Sequence, residues 1–535
     1  MAGSETICLA MVVAVCALLL AGFPVALTLA GSATAFAFIG YGLGAFDLSF
    51  LQALPSRLYT IMTREALVAV PLFVFMGVML ERSKVAEDLL NSMSRAVGNV
   101  AGGPAYAVTI VGMLLAASTG IVGATVVTLG LLALPTMLGR GYDAGFAAGT
   151  VAASGTLGQI IPPSIVLIFL GDQLSIAHQS AQYAQGNPAP DSVSVNDLFA
   201  GALLPGLVLV GLYLLYQVAY MRVGATRASG EGHVPAADDA GGPGLLATLF
   251  APLILIVAVL GSILAGLATP SEAASIGAVG ALLLAGHRMA PGRGRMIVFG
   301  ALAFAVLLAV AAWFDLRLQR TAIPASDKVA IAVAIALTGA GVWAVASSLV
   351  VTFQARDTDG DRILRQVMRA TLKITAMIFL IVIGASLFAL VFRGFGGDRA
   401  IEAFLLDLPG GTLGAVMLVM AVMFVLGFFL DFLEIVFVVV PVVAPVLLQM
   451  ELAPGAAMSP VWLGVMMAIV LQTSFLTPPF GFALFYLRGV APDTVRTVEI
   501  YRGVAPFVAI QLLALGVVWH LPGLATWLPE ALYQQ

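Results

Sequence analysis

The stretch "GTLGQIIPPSIVLIF", residues 155–169, is almost entirely apolar, yet Pro162 and Pro163 stand side by side in its middle. A proline lacks its own N–H and displaces the carbonyl four residues earlier, so a helix cannot pass through such a pair intact. Some three hundred residues later "SFLTPPFGFALF" (474–485) repeats the device with Pro478 and Pro479. The first pair frees the carbonyls of Gly158 and Gln159, and the second those of Ser474 and Phe475. In hydrocarbon each unsatisfied backbone group costs several kcal/mol, so such a break survives only inside protein or along a cavity.

Composition supplies the hydrocarbon. Of 535 residues, 61% are hydrophobic and 10% charged, with a mean hydropathy of +1.06. A soluble domain carries about 25% charged residues, so this chain is a polytopic membrane protein. Runs such as "LILIVAVLGSILAGLA" (253–268) recur along its length. Since a spanning helix needs roughly 20 apolar residues, merging them yields about twelve to fifteen segments, some re-entrant. The N-terminal run lacks a basic flank and is too long for a cleaved signal, which makes it the first retained helix. Cys8 and Cys16 lie too far apart along it to pair. The net charge of −4 gives no sign of nucleic acid as a partner.

Loop charge sets orientation. Arg82, Lys84 and Arg95 mark 81–103 as cytoplasmic, as Arg356, Arg362, Arg365, Arg369 and Lys373 mark 356–373. The segment 172–197 has no Lys or Arg and reads as a long outer loop. The linker 222–244 is expected to be mobile, and 297–352 reads as an extra helix pair.

Each break has a feature upstream. "LAASTGIVGATVVTLGLLALP" (115–135) and "GFFLDFLEIVFVVVPVVAP" (427–445) each run apolar, polar, apolar, then proline. That is the pattern of a re-entrant hairpin. With Pro135 on Pro445, Thr119 falls near Phe429, so the tips align. Freed carbonyls suit a hard cation such as Na⁺, and the N–H groups opening each following half-helix suit an anion. One broken helix in each half points to a transporter site between two repeats. Plain kinked helices are the alternative for a single proline; two double breaks favour a site. Asp431, inside the membrane, is a functional candidate by position, whereas Glu434 shares its face with no role assigned. Thr269, Pro270 and Glu272 read as a capping box, Arg64 and Glu65 as interfacial, Tyr142 and Asp143 as a boundary turn. Trp313, Trp462 and Trp519 read as belt residues.

In order along the chain, "LVAVPLFVFMGVMLERS", "ASTGIVGATVVTLGLLALPTMLGRGYD", "GTLGQIIPPSIVLIFLGD", "ATPSEAASIGAVGALLL", "FFLDFLEIVFVVVPVVAPVL", "LTPPFGFALFYLRGV" and "EIYRGVAPF" resemble the large membrane subunit of a tripartite ATP-independent periplasmic (TRAP) transporter. The resemblance covers about 10–285 and 365–530. It implies an all-α, inverted-repeat, elevator-type fold with two re-entrant hairpins and two broken helices. It also implies Na⁺ as coupling ion without any other cofactor, an organic-anion substrate, a periplasmic solute-binding protein, a small four-helix membrane subunit, and a bacterial inner-membrane location. Because no four-helix extension precedes residue 1, that small subunit is expected to be a separate chain. Carried over by position, one Na⁺ site is expected at Ser118, Thr119, Gly120, Gly158, Ile161 and Pro163, and the other at Asp431, Phe432, Thr477 and Pro479. Ser164, Gly123 and Gly481 are the substrate-binding candidates.

The expected organisation is scaffold helices and an amphipathic segment (1–110), a first transport repeat (111–200), scaffold (201–290), the extra pair (291–365), a scaffold helix (366–410), a second transport repeat (411–492) and a C-terminal helix (493–535). The longer 172–197 loop, the extra pair and Glu434 depart from the common family pattern and suggest its enlarged subgroup. No HExxH, Asp-rich diphosphate motif or mid-membrane Ser with a nearby His occurs, so enzyme chemistry has no visible parts. Two dissimilar half-helices also fit a channel pore poorly. A stand-alone Na⁺- or H⁺-coupled di- or tricarboxylate carrier is the serious alternative.

Overall fold

A computed structural model describes residues 2–97, 100–119, 122–224, 245–290, 294–319, 324–357, 360–453 and 456–533. The chain enters through α1 (Ala2–Leu20), α2 (Val25–Gly42) and α3 (Leu54–Thr63). Then come α4 (Glu65–Arg82), α5 (Val85–Ala96), α6 (Gly103–Thr119) and α7 (Val122–Gly139). Next are α8 (Ala144–Thr156), α9 (Ile165–Ala184) and α10 (Val195–Gly224), followed by α11 (Leu245–Leu264) and α12 (Pro270–Met289). The extra pair is α13 (Gly294–Trp313) and α14 (Ala325–Gln354), packed on each other and on α12.

The second half runs α15 (Ile363–Gly394), α16 (Gly397–Leu406), α17 (Gly411–Leu426), α18 (Phe432–Val438) and α19 (Val440–Leu447). A short β-hairpin, Glu451–Ala453 with Ala456–Ala457, leads to α20 (Pro460–Leu476), α21 (Phe482–Val490), α22 (Thr497–His520) and α23 (Gly523–Tyr533). Among the described residues, seven helices are long and apolar enough to cross a membrane, or eight if the pair bent by 48° between Thr63 and Glu65 is one span. Five shorter apolar helices accompany them.

Element order repeats. A long helix, a short amphipathic one, a hairpin, a broken helix and a further long helix run from α4 to α10, and again from α15 to α22. The amphipathic members explain themselves: α5 buries Val85, Leu89 and Leu90 while Glu87 and Asp88 stay at its edge. The halves interlock reciprocally. Hairpin helix α7 packs on α21 of the second half, while α18 and α19 pack on α9 of the first. Helices α4 and α15 meet each other directly.

The two helices leading into the breaks form the centre. Gly145 to Thr156 of α8 and Val461 to Leu476 of α20 are buried without exception. Helix α8 reads "AGFAAGTVAASGT", and side chains this small let a neighbour approach to backbone distance, as in membrane helix pairs generally. Gly149 and Gly503 of α22 meet this way; a Cβ on Gly149 would strike the Gly503 carbonyl.

Two expectations are corrected. The segment 172–197 is not a long loop: α9 continues to Ala184 and α10 starts at Val195, leaving residues 185–194 as the connection. A lack of basic residues bears on which side of the membrane a segment lies, and it does not break a helix. Trp462 is not a belt residue. It is 1% exposed, its ring N–H donates to the Val518 carbonyl at 3.0 Å, and it packs edge-on against Trp519. The capping box at Thr269 forms as its spacing predicts. Asp143 caps α8, and both cysteines are unpaired.

Candidate ion and solute site at the two helix breaks

At the first break α8 tightens into a short turn over Leu157–Gln159 and stops; the chain is extended at Ser164 before α9 begins. At the second, α20 ends at Thr477 and α21 starts after Gly481. The Pro162–Pro163 and Pro478–Pro479 peptide bonds are cis.

The freed carbonyls can be followed one by one. That of Gln159 is recaptured by the Ser164 hydroxyl, which donates to it at 2.8 Å. That of Ser474 is recaptured by the Thr477 N–H at 3.2 Å. The Leu157 carbonyl takes the N–H groups of both Ile160 and Ile161. Among the described residues nothing donates to the carbonyls of Gly158 or Phe475, although both residues are buried. A buried unpaired carbonyl is rare and costly, and among the described residues each break has one. Gly158 was legible from proline spacing as a candidate; Phe475 was not carried over, though the same spacing names it.

Each expected site residue can now be located. The backbones of Ser118 and Thr119 close α6, and Gly120 lies outside the described residues. Both arms of this hairpin clamp the end of α8: a Cβ on Gly112 would meet Ser154, and one on Gly155 would meet Val126. Ile161 is buried and faces α10, where a Cβ on Gly206 would lie 3.3 Å from it. Gly123 sits against the Tyr486 ring of α21, which ties the first hairpin to the second break. Ser164 is fully buried; its hydroxyl serves the Gln159 carbonyl and accepts the Leu167 N–H at 3.5 Å, so it caps α9. Gly481 caps α21 beneath the Thr477 carbonyl, to which it donates its N–H.

The second hairpin tip, residues 427–432, reaches the second break at three points. Gly427 lies against Ser474, the rings of Phe429 and Phe480 stand 5.3 Å apart, and those of Phe432 and Phe475 6.5 Å. Phe429 and Phe480 are 44% and 56% exposed, so this junction opens to the protein surface. The Thr477 hydroxyl is bonded back to the Thr473 carbonyl at 2.7 Å, and Tyr501 of α22 donates to the Pro479 carbonyl at 2.9 Å. Asp431 accepts the Phe432 N–H through Oδ1 at 2.7 Å, and its carboxylate also takes the Glu434 backbone N–H. Glu434, whose role the sequence left open, turns back to accept the Asp431 N–H at 3.1 Å. The Asp-x-x-Glu spacing is that of a capping box, and it could have been read so.

Three polar contacts near the breaks gave no sequence signal. Asp172, 8% exposed on α9, pairs with Arg64 at 2.7 Å at the bend between α3 and α4, and accepts Gln173 at 2.9 Å. Gln511 of α22 donates to the buried Tyr213 hydroxyl of α10 at 2.7 Å. The side chain of Gln159, and that of Gln472 on α20, are fully buried with neither polar atom bonded among the described residues. Among those residues, no cluster of three His, Cys, Asp or Glu side chains offers a transition-metal site.

Comparison with known proteins accords with this architecture. The family model described as the DctM component of the tripartite ATP-independent periplasmic transporter matches residues 12–326 and 328–524. The chain is 25% identical over 524 residues to the C4-dicarboxylate TRAP transporter large permease protein DctM of Vibrio cholerae, covering 96% of each. It is 24% identical to the ectoine TRAP transporter large permease protein TeaC of Halomonas elongata, covering 98% of this chain and 99% of that one. To the sialic acid TRAP transporter large permease protein SiaM of Vibrio cholerae it is 22% identical, covering 96% of each. Its fold resembles the solved Alcanivorax borkumensis YdaH transporter with a TM-score of 0.53 at 16% identity, over 90% of this chain and 89% of that one. The chain therefore belongs to the DctM component family of TRAP transporters: it is a multi-pass large membrane permease subunit, and not an enzyme.

Proposed function

We propose that this subunit imports a small organic anion by Na⁺-coupled symport, with one Na⁺ at each break. The observation that carries the reading is the matched pair of open carbonyls at Gly158 and Phe475, the first in a turn packed on α6 and the second on a residue whose ring meets Phe432. A hard cation takes oxygen ligands, and neither oxygen has a donor among the described residues. Gly158, Ile161 and Pro163, with Ser118, Thr119 and Gly120 of the first tip, would hold one ion. Phe475 joins Asp431, Phe432, Thr477 and Pro479 for the other. Asp431 supplies the negative charge of the second site.

The solute would lie between the breaks, where Gly123 approaches the second half-helix and the starts of α9 and α21, at Ser164 and Gly481, present positive dipole ends. A carboxylate is the expected anchor. C4-dicarboxylates, ectoine and sialic acid, the solutes in the names of the three relatives described above, all carry one. In this reading the two broken helices and two hairpins move as one body against α2, α4, α12 and α15 in an elevator motion. The expected setting is the bacterial inner membrane, with a small four-helix subunit and a periplasmic binding protein that delivers the solute.

Reconstitution tests this. The chain in proteoliposomes under an inward Na⁺ gradient is expected to take up solute only when a cognate small subunit and a loaded binding protein are both added. Uptake by the chain alone would instead identify a stand-alone carboxylate carrier. Full uptake with Na⁺ replaced by choline would remove the ion assignment.

A further inference from the structure

Helix α15 is longer than its membrane requires. Its 32 residues span about 48 Å at 1.5 Å per residue, against roughly 30 Å of hydrocarbon. The excess lies at its start, because the unbroken apolar stretch begins at Ile374. On that protruding first third, Arg362, Arg365, Arg369 and Lys373 follow at intervals of three, four and four residues, which places them along one face. All four are exposed.

Among the described residues none of the four forms an ion pair. Asp357 is engaged by Arg82 at 3.8 Å, and Asp361, the residue before Arg362, bonds through its backbone carbonyl to the Asp357 N–H. Arg362 rests its guanidinium over the Phe353 ring of α14, 4.3 Å from its centre. Between the cations Met368 and Leu372 are 54% and 70% exposed, and beside them Val350 and Phe353 of α14 are 48% and 46% exposed. Cations at headgroup depth with apolar side chains interleaved are arranged to meet acyl chains and phosphates together, the stems lying on the apolar layer and the heads in the polar one.

We infer that this stripe is a binding surface for anionic phospholipid headgroups, holding α15 and the adjoining α13–α14 pair against the membrane leaflet it faces. The surface is independent of the ion and solute reading. Each basic residue near an anionic surface strengthens attraction about fivefold, so three of them amount to ~100-fold at low salt.

The test titrates the detergent-solubilised full chain with short-chain phosphatidylglycerol and, separately, phosphatidylcholine. The expected result is a preference for phosphatidylglycerol that falls as salt is added, disappears in Arg365→Gln/Arg369→Gln/Lys373→Gln, and persists in Arg365→Lys/Arg369→Lys. The Lys variant also guards against misfolding as the cause of loss. Equal affinity for both lipids in the wild type, or an unchanged preference in the triple Gln variant, overturns the inference. So does protection of Lys373 from amine labelling by the small membrane subunit in phosphatidylcholine alone, which would make the stripe a subunit interface.

Discussion

Replacing Ser164 by Ala removes one oxygen from a fully buried position and asks whether the first break is held in shape by it. That oxygen donates to the Gln159 carbonyl at 2.8 Å and accepts the Leu167 N–H at 3.5 Å. The second contact is long, so its loss costs at the low end of a helix cap, about 0.5 kcal/mol. The first loss strands a buried acceptor, which costs about 1–3 kcal/mol. The residues between Gln159 and Ser164 then lose the tether that presents the neighbouring Gly158 carbonyl. If that carbonyl is an ion ligand, most of the cost falls on the ion-bound form, and about 1.4 kcal/mol is tenfold in affinity. The half-saturating Na⁺ concentration for uptake in proteoliposomes should rise by roughly tenfold or more in Ser164→Ala. Ser164→Thr, which keeps the hydroxyl, should stay near wild type. An unchanged Na⁺ requirement in a folded Ser164→Ala protein would refute the reasoning, because the tether would then have nothing to do with the ion.

Pro163→Ala restores an N–H at the break and should abolish Na⁺-dependent uptake without loss of membrane insertion; normal transport would demote Gly158–Pro163. Asp431→Asn removes the one charge at the second tip and should weaken Na⁺ dependence; an unaltered Na⁺ titration would leave Asp431 a capping residue only. Arg64→Gln should lower thermal stability more than Asp172→Asn, by about 2–4 kcal/mol against about 1. The first strands a carboxylate that is 8% exposed, whereas the second leaves an arginine that is 25% exposed; melting curves with the order reversed would contradict this. Gly503→Val drives a side chain into the Gly145 backbone and should abolish the monodisperse peak in size-exclusion chromatography, while Gly516→Val, with open space around it, should elute as wild type.

The breaks were legible because proline acts on its own helix: Pro162, Pro163, Pro478 and Pro479 name the freed carbonyls by counting back four residues. The repeat was legible for the same reason, since hairpin and break recur in one order. What could not be read was anything fixed across the chain. Arg64 and Asp172 are 108 residues apart, and Tyr213 and Gln511 are 298 apart; no periodicity links them. Trp462 misled because tryptophan near a helix start fits both a lipid interface and a core, and only the Val518 carbonyl decides. Glu434 was a different failure. Its local cap was spelled out in Asp-x-x-Glu, and the unusual position inside the membrane drew attention away from it.

The most direct measurement is a pair of density maps of the reconstituted protein, one in Na⁺ and one in choline, at a resolution that shows bound ions. The account predicts density present only with Na⁺ at ligand distance from the Gly158 and Phe475 carbonyls. A Na⁺ map in which both carbonyls accept protein N–H groups, with nothing beside them, would contradict it.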